Sequence, residues 1–300
     1  MQTATIGIIG GSGLTSLPQL RGATRVHVET GFGRASDAVV VGDLFGVSVA
    51  FLARHGGDHR VPPARVNARA NIDALKRVGC KQVLSLSAVG SLREDLPPGH
   101  FLLVDQFIDR THGRAQTFFE DGVAAHVGFA EPTCGRLRGL LAEACVEQRV
   151  PHLTAGTYVV MNGPQFSTRA ESALHRSWGA SVIGMTALPE AKLAREAELC
   201  FLTVAMATDF DCWHPDHGAV TAAQVSEVMR GNTERALAML EAVLPRLAAH
   251  DGACAHGCDR ALDGAIMTSL NSVRDADDPR TRHLLARWLR GQHATPPREH

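Results

Sequence analysis

Two aspartates separated by one residue follow an apolar stretch in the last third of the chain. Residues 199–207 carry no charge and predict a buried strand of a parallel sheet, and Asp209 and Asp211 come just after it. If the chain stays extended there, both carboxylates project to the same side. One could accept from an exocyclic amine, and the other, or the same one when protonated, could donate to a ring nitrogen. The alternative interpretation is that one aspartate caps the following turn and the other is only exposed to solvent.

Several other predicted strands end in a small hydroxyl, a glycine or a cation. These positions are Ser12, Arg54 with His55, Ser87 with Ala88, and Thr186. Hydroxyls, backbone amides and a fixed guanidinium suit a small oxyanion such as phosphate. Each position alone is also compatible with capping or turn chemistry. Their repetition in one chain favours an anion site where the strands end, as expected for ligands of open α/β sheets.

The first predicted strand, residues 5–9, leads into a glycine-rich turn at residues 10–13. A dinucleotide-binding turn would need a third glycine where Ser16 stands, and a P-loop would need a Gly-Lys-Ser/Thr sequence that the turn lacks. The turn therefore disfavours a dinucleotide-dependent oxidoreductase. Its backbone amides and its single hydroxyl can still face an anion.

Composition narrows the class of protein. The 300 residues are 45% hydrophobic with a net charge of −1, so they can form a sizeable core and show no electrostatic preference for nucleic acid or membranes. Only 5% are aromatic, which disfavours a base-stacking surface. We find no signal-peptide pattern and no apolar run near the roughly 20 residues that span a bilayer. Seven cysteines, an odd number, indicate free thiols in a reducing cytoplasm.

Alternating strand and helix patterns, among them one strand at 101–107, predict a three-layer α/β fold in residues 1–250. Two helices are predicted to begin at capping boxes, formed by Thr168 with Glu171 and by Thr221 with Gln224.

Residues 251–300 form an extension of uncertain structure, in which Cys254, His256 and Cys258 invite a metal-binding interpretation. Tight zinc ligation usually uses two separated ligand pairs, and this is one cluster without a second. We therefore expect no metal there.

The chain resembles the trimeric purine nucleoside phosphorylases, and within them the methylthioadenosine phosphorylases. The resemblance runs from residue 3 to about 245, and we align nothing after about 250 with the family pattern. The matching segments are GIIGGSGL (7–14), FLARHG (51–56), VNARANIDALK (66–76), SAVGSLRED (87–95), VDQFIDRT (104–111), NGPQFSTRAE (162–171), VIGMTALPEAKLA (182–194) and ATDFDCW (207–213).

The resemblance implies a phosphorylase-type fold with a mixed central sheet, a cofactor-free reaction with orthophosphate as co-substrate, and a homotrimer. It implies a phosphate site made of Ser12, Arg54, His55, Ser87, Ala88 and Thr186. It places Met185 against the ribose, Phe166 against the base and Val225 in the 5′ pocket. It places Asp209 at the purine N7 and 6-substituent, with Asp211 supporting Asp209. His126 would reach the site of a neighbouring subunit.

The base preference follows from Asp209. Relatives that prefer 6-oxopurines resemble this chain but carry asparagine there, whose amide donates to O6. A carboxylate accepts well from an N6 amine, so we expect an adenine nucleoside. Burial against the base and the charge of Asp211 would raise the pKa of Asp209.

Two departures from the family pattern concern the sugar. Ala222, Val225 and Ser226 are smaller and more polar than the bulky aliphatic residues usual in the 5′ pocket, and Gly184 stands where the family often has asparagine. Methylthioadenosine remains the expected substrate. The alternatives are a phosphorylase for adenosine or 6-oxopurine nucleosides, and a nucleoside-binding module without catalysis, which would need no acid.

Overall fold

A computed structural model describes residues 2–216, 221–250 and 252–292. The strands are β1 Ile6–Gly10, β2 Arg21–Val26, β3 Val39–Leu44, β4 Val47–Ala53, β5 Gln82–Ser91, β6 Phe101–Leu103, β7 Gln106–Arg110, β8 His152–Leu153, β9 Thr157–Met161, β10 Val182–Gly184 and β11 Cys200–Asp209. The helices are α1 Ala68–Arg77, α2 Gly135–Glu147, α3 Arg169–Ser177, α4 Ala187–Glu196, α5 Ala222–Ala248, α6 Leu270–Ala276 and α7 Arg282–Gln292.

The strands form one mixed sheet in which β5 is the hub. The main order is β2-β3-β4-β1-β5-β10-β9-β7. The strand β5 also pairs in parallel with β11, which in turn pairs antiparallel with β6. Because β1, β4, β5 and β11 are parallel neighbours, their carboxyl ends meet at one edge. This edge is where the predicted site residues lie.

The mixed α/β architecture confirms the predicted fold class, with three differences in detail. The stretch 101–107, predicted as one strand, is β6 and β7, because the chain leaves β11 after Leu103 and then pairs with β9. The strand β5 continues past Ser87 to Ser91 and bends toward β10. The pattern missed β2, an exposed edge strand without an apolar face.

Two large apolar clusters, one rich in residues of α1 and α4 and the other in residues of α2 and α5, form the core. Residues after α5 belong to the same clusters: Leu262, Leu284 and Trp288 pack in the first, and Cys254 and Cys258 in the second. The extension thus packs on the sheet-and-helix body. None of the helices in the described ranges is long and apolar enough to cross a membrane.

Candidate active site

A cavity of about 420 Å³ opens at the carboxyl ends of the parallel strands. Its wall is formed by the segments that directly follow β1 and β4, by residues of β5, β9, β10 and β11, and by the first turns of α5. Eleven residues predicted from the sequence line it, namely Ser12, Arg54, His55, Ser87, Ala88, Phe166, Met185, Thr186, Asp209, Asp211 and Val225. Residues up to 213 positions apart therefore meet at one edge of the sheet, as expected for ligand sites of open α/β sheets.

A β-bulge directs Asp209 into this cavity. The pairing of β11 with β5 shifts register between Ala207 and Asp209, which leaves Thr208 as the extra residue. Asp209 then lies opposite Gly90, where a Cβ atom would stand 2.9 Å from its Oδ1. Glycine at position 90 therefore gives the carboxylate room to lie over β5.

The pKa of Asp209 is raised above its ordinary value. Burial is the main cause, and the negative charge of Asp211 adds to it. Two hydrogen bonds oppose the shift: Thr208 Oγ1 donates to Oδ2 at 2.7 Å and the Asp211 amide donates to Oδ1 at 2.8 Å. The direction of the shift is the one expected from the sequence, and it suits a group that holds a proton for part of a catalytic cycle.

Asp211 reaches the cavity by a different path from the one predicted. The strand ends at Asp209, and Asp211 has a φ of 50°, so the chain turns and does not remain extended. The turn lets its amide bond Asp209 while its side chain stays buried. Its Oδ2 has no hydrogen-bond donor within the described residues. A buried acceptor of this kind calls for a donor from a ligand or water.

Arg54, predicted as the fixed cation of a phosphate site, is held by a buried carboxylate. Its side chain is fully buried, and Nε and Nη2 donate to the carboxylate of Glu190 at 2.6 and 3.1 Å. Nη2 also donates to Ser85 Oγ, and Nη1 to the Leu86 carbonyl at 3.0 Å. The guanidinium has five N–H donors, so one hydrogen on Nη1 has no acceptor among the described residues and can point at a ligand.

The glycine-rich turn after β1 packs around this guanidinium. A Cβ atom on Gly11 would stand 2.5 Å from Nη1 of Arg54, and the Arg54 amide donates to the Gly10 carbonyl at 2.9 Å. The glycines therefore serve a close approach of backbone to a buried cation. That packing brings Ser12 to the cavity wall.

His55 lies beside Arg54 and is neutral near pH 7. Burial and the charge of Arg54 lower its pKa to about 4. Its Nδ1 lies 2.8 Å from the Val61 carbonyl, and an N–H at Nδ1 leaves Nε2 as an acceptor. A neutral ring in this tautomer can accept a proton or hydrogen bond from a protonated oxyanion, or from a sugar hydroxyl.

Three hydroxyls form a hydrogen-bonding network beside the predicted anion site. Ser87 Oγ lies 3.2 Å from both Thr186 Oγ1 and the Tyr158 hydroxyl. Thr186 directly precedes α4 and its side chain makes no capping bond, so its hydroxyl can serve a ligand. Tyr158 is fully buried and was missed, because a tyrosine in an apolar strand gives no signal of its distant partners.

The cavity wall that would face the nucleoside is held by Arg114. Its guanidinium donates to the carbonyls of Met185, Leu188 and Asn162, so it ties together the two loops that carry Met185 and Phe166. Phe166 is 47% exposed, as expected of a side chain that would cover a ligand. No local pattern in the sequence indicates this role for Arg114.

The small residues at positions 184, 222 and 226 line the same cavity. A Cβ atom on Gly184 would collide with the Tyr158 hydroxyl. This explains the absence of a side chain at a position where the family often has asparagine. Ala222, Val225 and Ser226 lie on the first turns of α5.

His126 does not line the cavity of its own chain. It lies in a loop that is fastened to the C-terminal extension: the His126 amide donates to the Ala265 carbonyl at 2.8 Å, and Ala125 forms a β-bridge with Ile266.

Comparisons with known proteins agree with this geometry. The phosphorylase superfamily pattern matches residues 5–245. The S-methyl-5′-thioadenosine phosphorylase of Cereibacter sphaeroides is 52% identical over 264 residues, which cover 88% of this chain and 91% of that protein. The corresponding protein of Koribacter versatilis is 49% identical over 294 residues, which cover 97% of this chain and 99% of that protein. The latter alignment extends into the segment after residue 250, for which the resemblance described above gave no alignment.

A solved structure gives the same result for the fold. The crystal structure of a methylthioadenosine phosphorylase from an Antarctic soil metagenomic library superposes with a TM-score of 0.86 at 42% identity, and the match covers 95% of this chain and 99% of that one. With a family pattern over most of its length and relatives near 50% identity, this chain belongs to the phosphorylase superfamily, among its S-methyl-5′-thioadenosine phosphorylases.

Proposed function

We propose that this chain catalyses the phosphorolysis of S-methyl-5′-thioadenosine to adenine and S-methyl-5-thioribose 1-phosphate. The observation that carries the proposal is the division of one cavity into two chemically distinct ends. A buried cation and hydroxyls gather around Ser87, and the carboxyls of Asp209 and Asp211 lie beside Gly90, three residues further along β5. Such a division fits a reaction in which an anion attacks a sugar while a base departs.

The anion end supplies the nucleophile. Ser12, Ser87, Thr186, the Ala88 amide and the remaining N–H of Arg54 would hold orthophosphate beneath C1′. Cleavage of the N-glycosidic bond builds positive charge on the sugar, and a dianion fixed there both attacks C1′ and stabilises that charge. Glu190 orients the Arg54 guanidinium by accepting two of its hydrogen bonds.

The carboxyl end supplies the acid. A protonated Asp209 would donate to N7 of the departing purine, and burial keeps its pKa raised in the required direction. The unpartnered Oδ2 of Asp211 is a ready acceptor near the 6-position. Two acceptors favour the N6 amine of adenine over the O6 of a 6-oxopurine, so the 6-oxopurine alternative is not favoured.

The sugar lies between these two ends, against Met185 and near α5. Ala222, Val225 and Ser226 leave space for a methylthio group at the 5′ position, and the same space can admit a hydroxyl. Adenosine is therefore a second expected substrate. The reaction as written needs only orthophosphate as co-substrate.

We propose that the active assembly is a homotrimer in which His126 completes a neighbouring subunit's 5′ pocket. The support is that His126 lies away from its own cavity on a loop fixed by the C-terminal extension. Sedimentation at micromolar concentration, with activity measured on the same sample, checks this. A fully active monomer would rule out an essential residue from a neighbour.

We also propose that the protein functions in the cytoplasm, because none of its seven cysteines forms a disulfide, as is typical of a reducing compartment.

The decisive experiment incubates the protein with methylthioadenosine, with and without orthophosphate, and measures free adenine and the sugar product. We expect adenine and a sugar 1-phosphate only when phosphate is present. Equal adenine release in phosphate-free buffer would identify a hydrolase. Inosine in a parallel reaction tests the base preference, and we expect much slower release of hypoxanthine.

A further inference from the structure

Four cysteine side chains from three distant segments meet in the second core cluster. Cys134 is the N-cap of α2, Cys200 is the first residue of β11, and Cys254 and Cys258 belong to the extension after α5. All four are at most 5% exposed, and their four Sγ atoms lie within 4.8 Å of one another. The sequence shows no second ligand pair near Cys254 and Cys258. The fold supplies that pair as Cys134 and Cys200.

The spacing of the sulfur atoms fits a single tetrahedral ion. A zinc–sulfur distance of about 2.3 Å gives a sulfur–sulfur edge of about 3.8 Å in a tetrahedron. The Sγ atoms of Cys134 and Cys254 lie 3.7 Å apart. A disulfide would need about 2.05 Å, and all seven cysteines are free. An iron–sulfur cluster would hold the cysteine sulfurs further apart, because its irons and bridging sulfides lie between them.

We propose that Cys134, Cys200, Cys254 and Cys258 bind one structural zinc ion. Four thiolates are the ligand set typical of closed structural zinc sites, whereas catalytic sites keep an open position. None of the four lines the cavity at the carboxyl ends of the strands. The ion therefore has no role in the reaction proposed above, and the proposal stands independently of that reaction.

The local backbone supports chelation by the extension. Gly257 has a φ of 70° and precedes a short 3₁₀ turn at Cys258–Arg260. Its amide donates to the Cys254 carbonyl at 2.9 Å, which closes a tight turn between the two cysteines. His256 points elsewhere: its ring packs against Gly135, where a Cβ would stand 2.6 Å from Cε1. The sequence cluster of Cys254, His256 and Cys258 therefore contributes two sulfur ligands and no imidazole.

The surroundings offset the charge of the site. Zinc with four thiolates carries a net charge of −2, which needs nearby positive charge when buried. Cys134 lies at the N-terminus of the 13-residue helix α2, whose dipole is positive at that end. Arg195 Nη1 lies 4.0 Å from Cys258 Sγ, while its Nη2 bonds the Glu131 carbonyl.

The ion would fasten the extension to the two core elements that carry Cys134 and Cys200. The next residues of the extension then reach Glu198, which accepts from the Leu262 amide at 3.0 Å and from Arg287 at 2.6 Å. A zinc site at the beginning of the extension would therefore fix its starting point. Its removal should loosen residues after 250 first.

The primary experiment is elemental analysis of the full-length wild-type protein, purified in reducing buffer without chelator. We expect about one zinc per chain, because a closed four-cysteine site retains its ion through purification. Replacement of zinc by Co²⁺ should give the visible absorption of a tetrahedral thiolate complex. Both measurements use the wild-type chain, so they do not depend on whether a variant folds.

Cysteine variants test whether the zinc is bound at this cluster. Cys134→Ser should lose the zinc, while Cys145→Ser, a matched buried cysteine on the same helix, should keep it. Chelation of the wild-type protein should lower its melting temperature and speed trypsin cleavage after Arg260 and Arg274, because the backbone there loosens. Chelator should produce neither change in Cys134→Ser, which holds no zinc to lose.

Three results would overturn the proposal. Zinc-free protein from zinc-supplemented cells, with all seven thiols titratable after denaturation, would mean that the sulfurs only pack together. Disulfides between these cysteines in non-reducing mass spectrometry would assign the cluster to redox chemistry. Stoichiometric iron would reject zinc as the bound ion.

Discussion

The two ends of β11 hold different kinds of site. At its last residue, Asp209 faces a cavity of hydroxyls, carboxyls and a buried cation. At its first residue, Cys200 belongs to a closed cluster of four thiols. The strand has 10 residues, so the two ends lie roughly 30 Å apart at about 3.3 Å per residue.

The difference lies in how each site is encoded. The cavity residues occur in short segments, such as Asp209 with Asp211 or Arg54 with His55. Each segment can therefore be recognised in the sequence without the others. The thiol cluster takes single cysteines from α2 and β11, and only the pair in the extension is close in sequence. If the two ends work independently, changes at one should leave the other intact, and the following experiments test that separation.

The largest expected effect is that of Asp209→Asn on adenine nucleosides. The amide keeps the shape but cannot transfer a proton to N7, so the efficiency with methylthioadenosine should fall by roughly 10²–10⁴-fold. Inosine should lose far less or gain, because the amide donates to O6. The measurement is kcat/KM for the two nucleosides on one variant, together with zinc content, which should not change.

Asp211→Asn is the matched control, since Asp211 is proposed to accept from the base and not to protonate it. Its effect should be smaller. An equal fall for both nucleosides in Asp209→Asn would mean that Asp209 does not read the 6-position.

The next effect concerns the buried ion pair of Arg54 and Glu190, whose side chains are each 1% exposed. Glu190→Gln leaves a buried guanidinium without its counter-charge, which should cost about 3–5 kcal/mol of unfolding free energy. Orthophosphate should restore part of this, because an anion beside Arg54 replaces the missing charge. Urea unfolding with and without phosphate measures both effects.

Asp95→Asn serves as its control, because it removes the exposed pair of Arg93 and Asp95. Such a surface pair contributes at most about 1 kcal/mol. A Glu190→Gln protein as stable as this control would show that the buried pair does not stabilise the cavity.

His55 gives a pH effect of defined sign. Its pKa is about 4 in the folded chain and near 6.5 when exposed. Between these values the unfolded chain binds the additional proton, so this residue makes the unfolding free energy rise as pH increases from about 4 to 6.5. The wild-type protein should show this rise more strongly than His55→Asn in urea unfolding at several pH values.

Proton NMR of the His55 ring tests the same assignment directly. Added phosphate should raise its pKa, since a neighbouring anion favours the charged ring. An unchanged titration in phosphate would remove His55 from the anion site.

The smallest expected effect is that of Tyr158→Phe. The variant loses the hydrogen bond between the phenolic hydroxyl and Ser87 Oγ, which contributes about 0.5–1.5 kcal/mol. The KM for phosphate should therefore rise several-fold, with kcat for methylthioadenosine little changed and the zinc content unaltered. A variant with lower kcat and unchanged KM would instead place Tyr158 in the chemical step.

The sequence predicted those residues whose role depends on neighbours in the chain or on the direction of a strand. The capping boxes of Thr168 with Glu171 and of Thr221 with Gln224 begin α3 and α5 as expected, because both partners lie within one turn. The strand-end positions also lie at one edge, because parallel pairing brings carboxyl ends together. These predictions needed only spacing and strand direction.

Residues that act through distant partners were beyond such reasoning. Glu190 bonds Arg54 across 136 positions, and nothing near either residue indicates the other. The turn at Asp211 depends on its bond to Asp209 and on positive φ, which the sequence does not show. Cys134 and Cys200 likewise gain meaning only when the fold brings them to the extension.

The contact between Tyr158 and position 184 has a consequence for how this cavity can evolve. Because the phenolic oxygen occupies the space of any side chain at 184, Gly184 and Tyr158 form a mutually dependent pair. A lineage can acquire asparagine at 184 only with a displacement of the Tyr158 ring, because even without the hydroxyl its Cζ atom would stand 2.8 Å from the new Cβ. The two positions should therefore be exchanged jointly across related sequences, and Gly184→Asn should be better tolerated in a Tyr158→Phe background than alone.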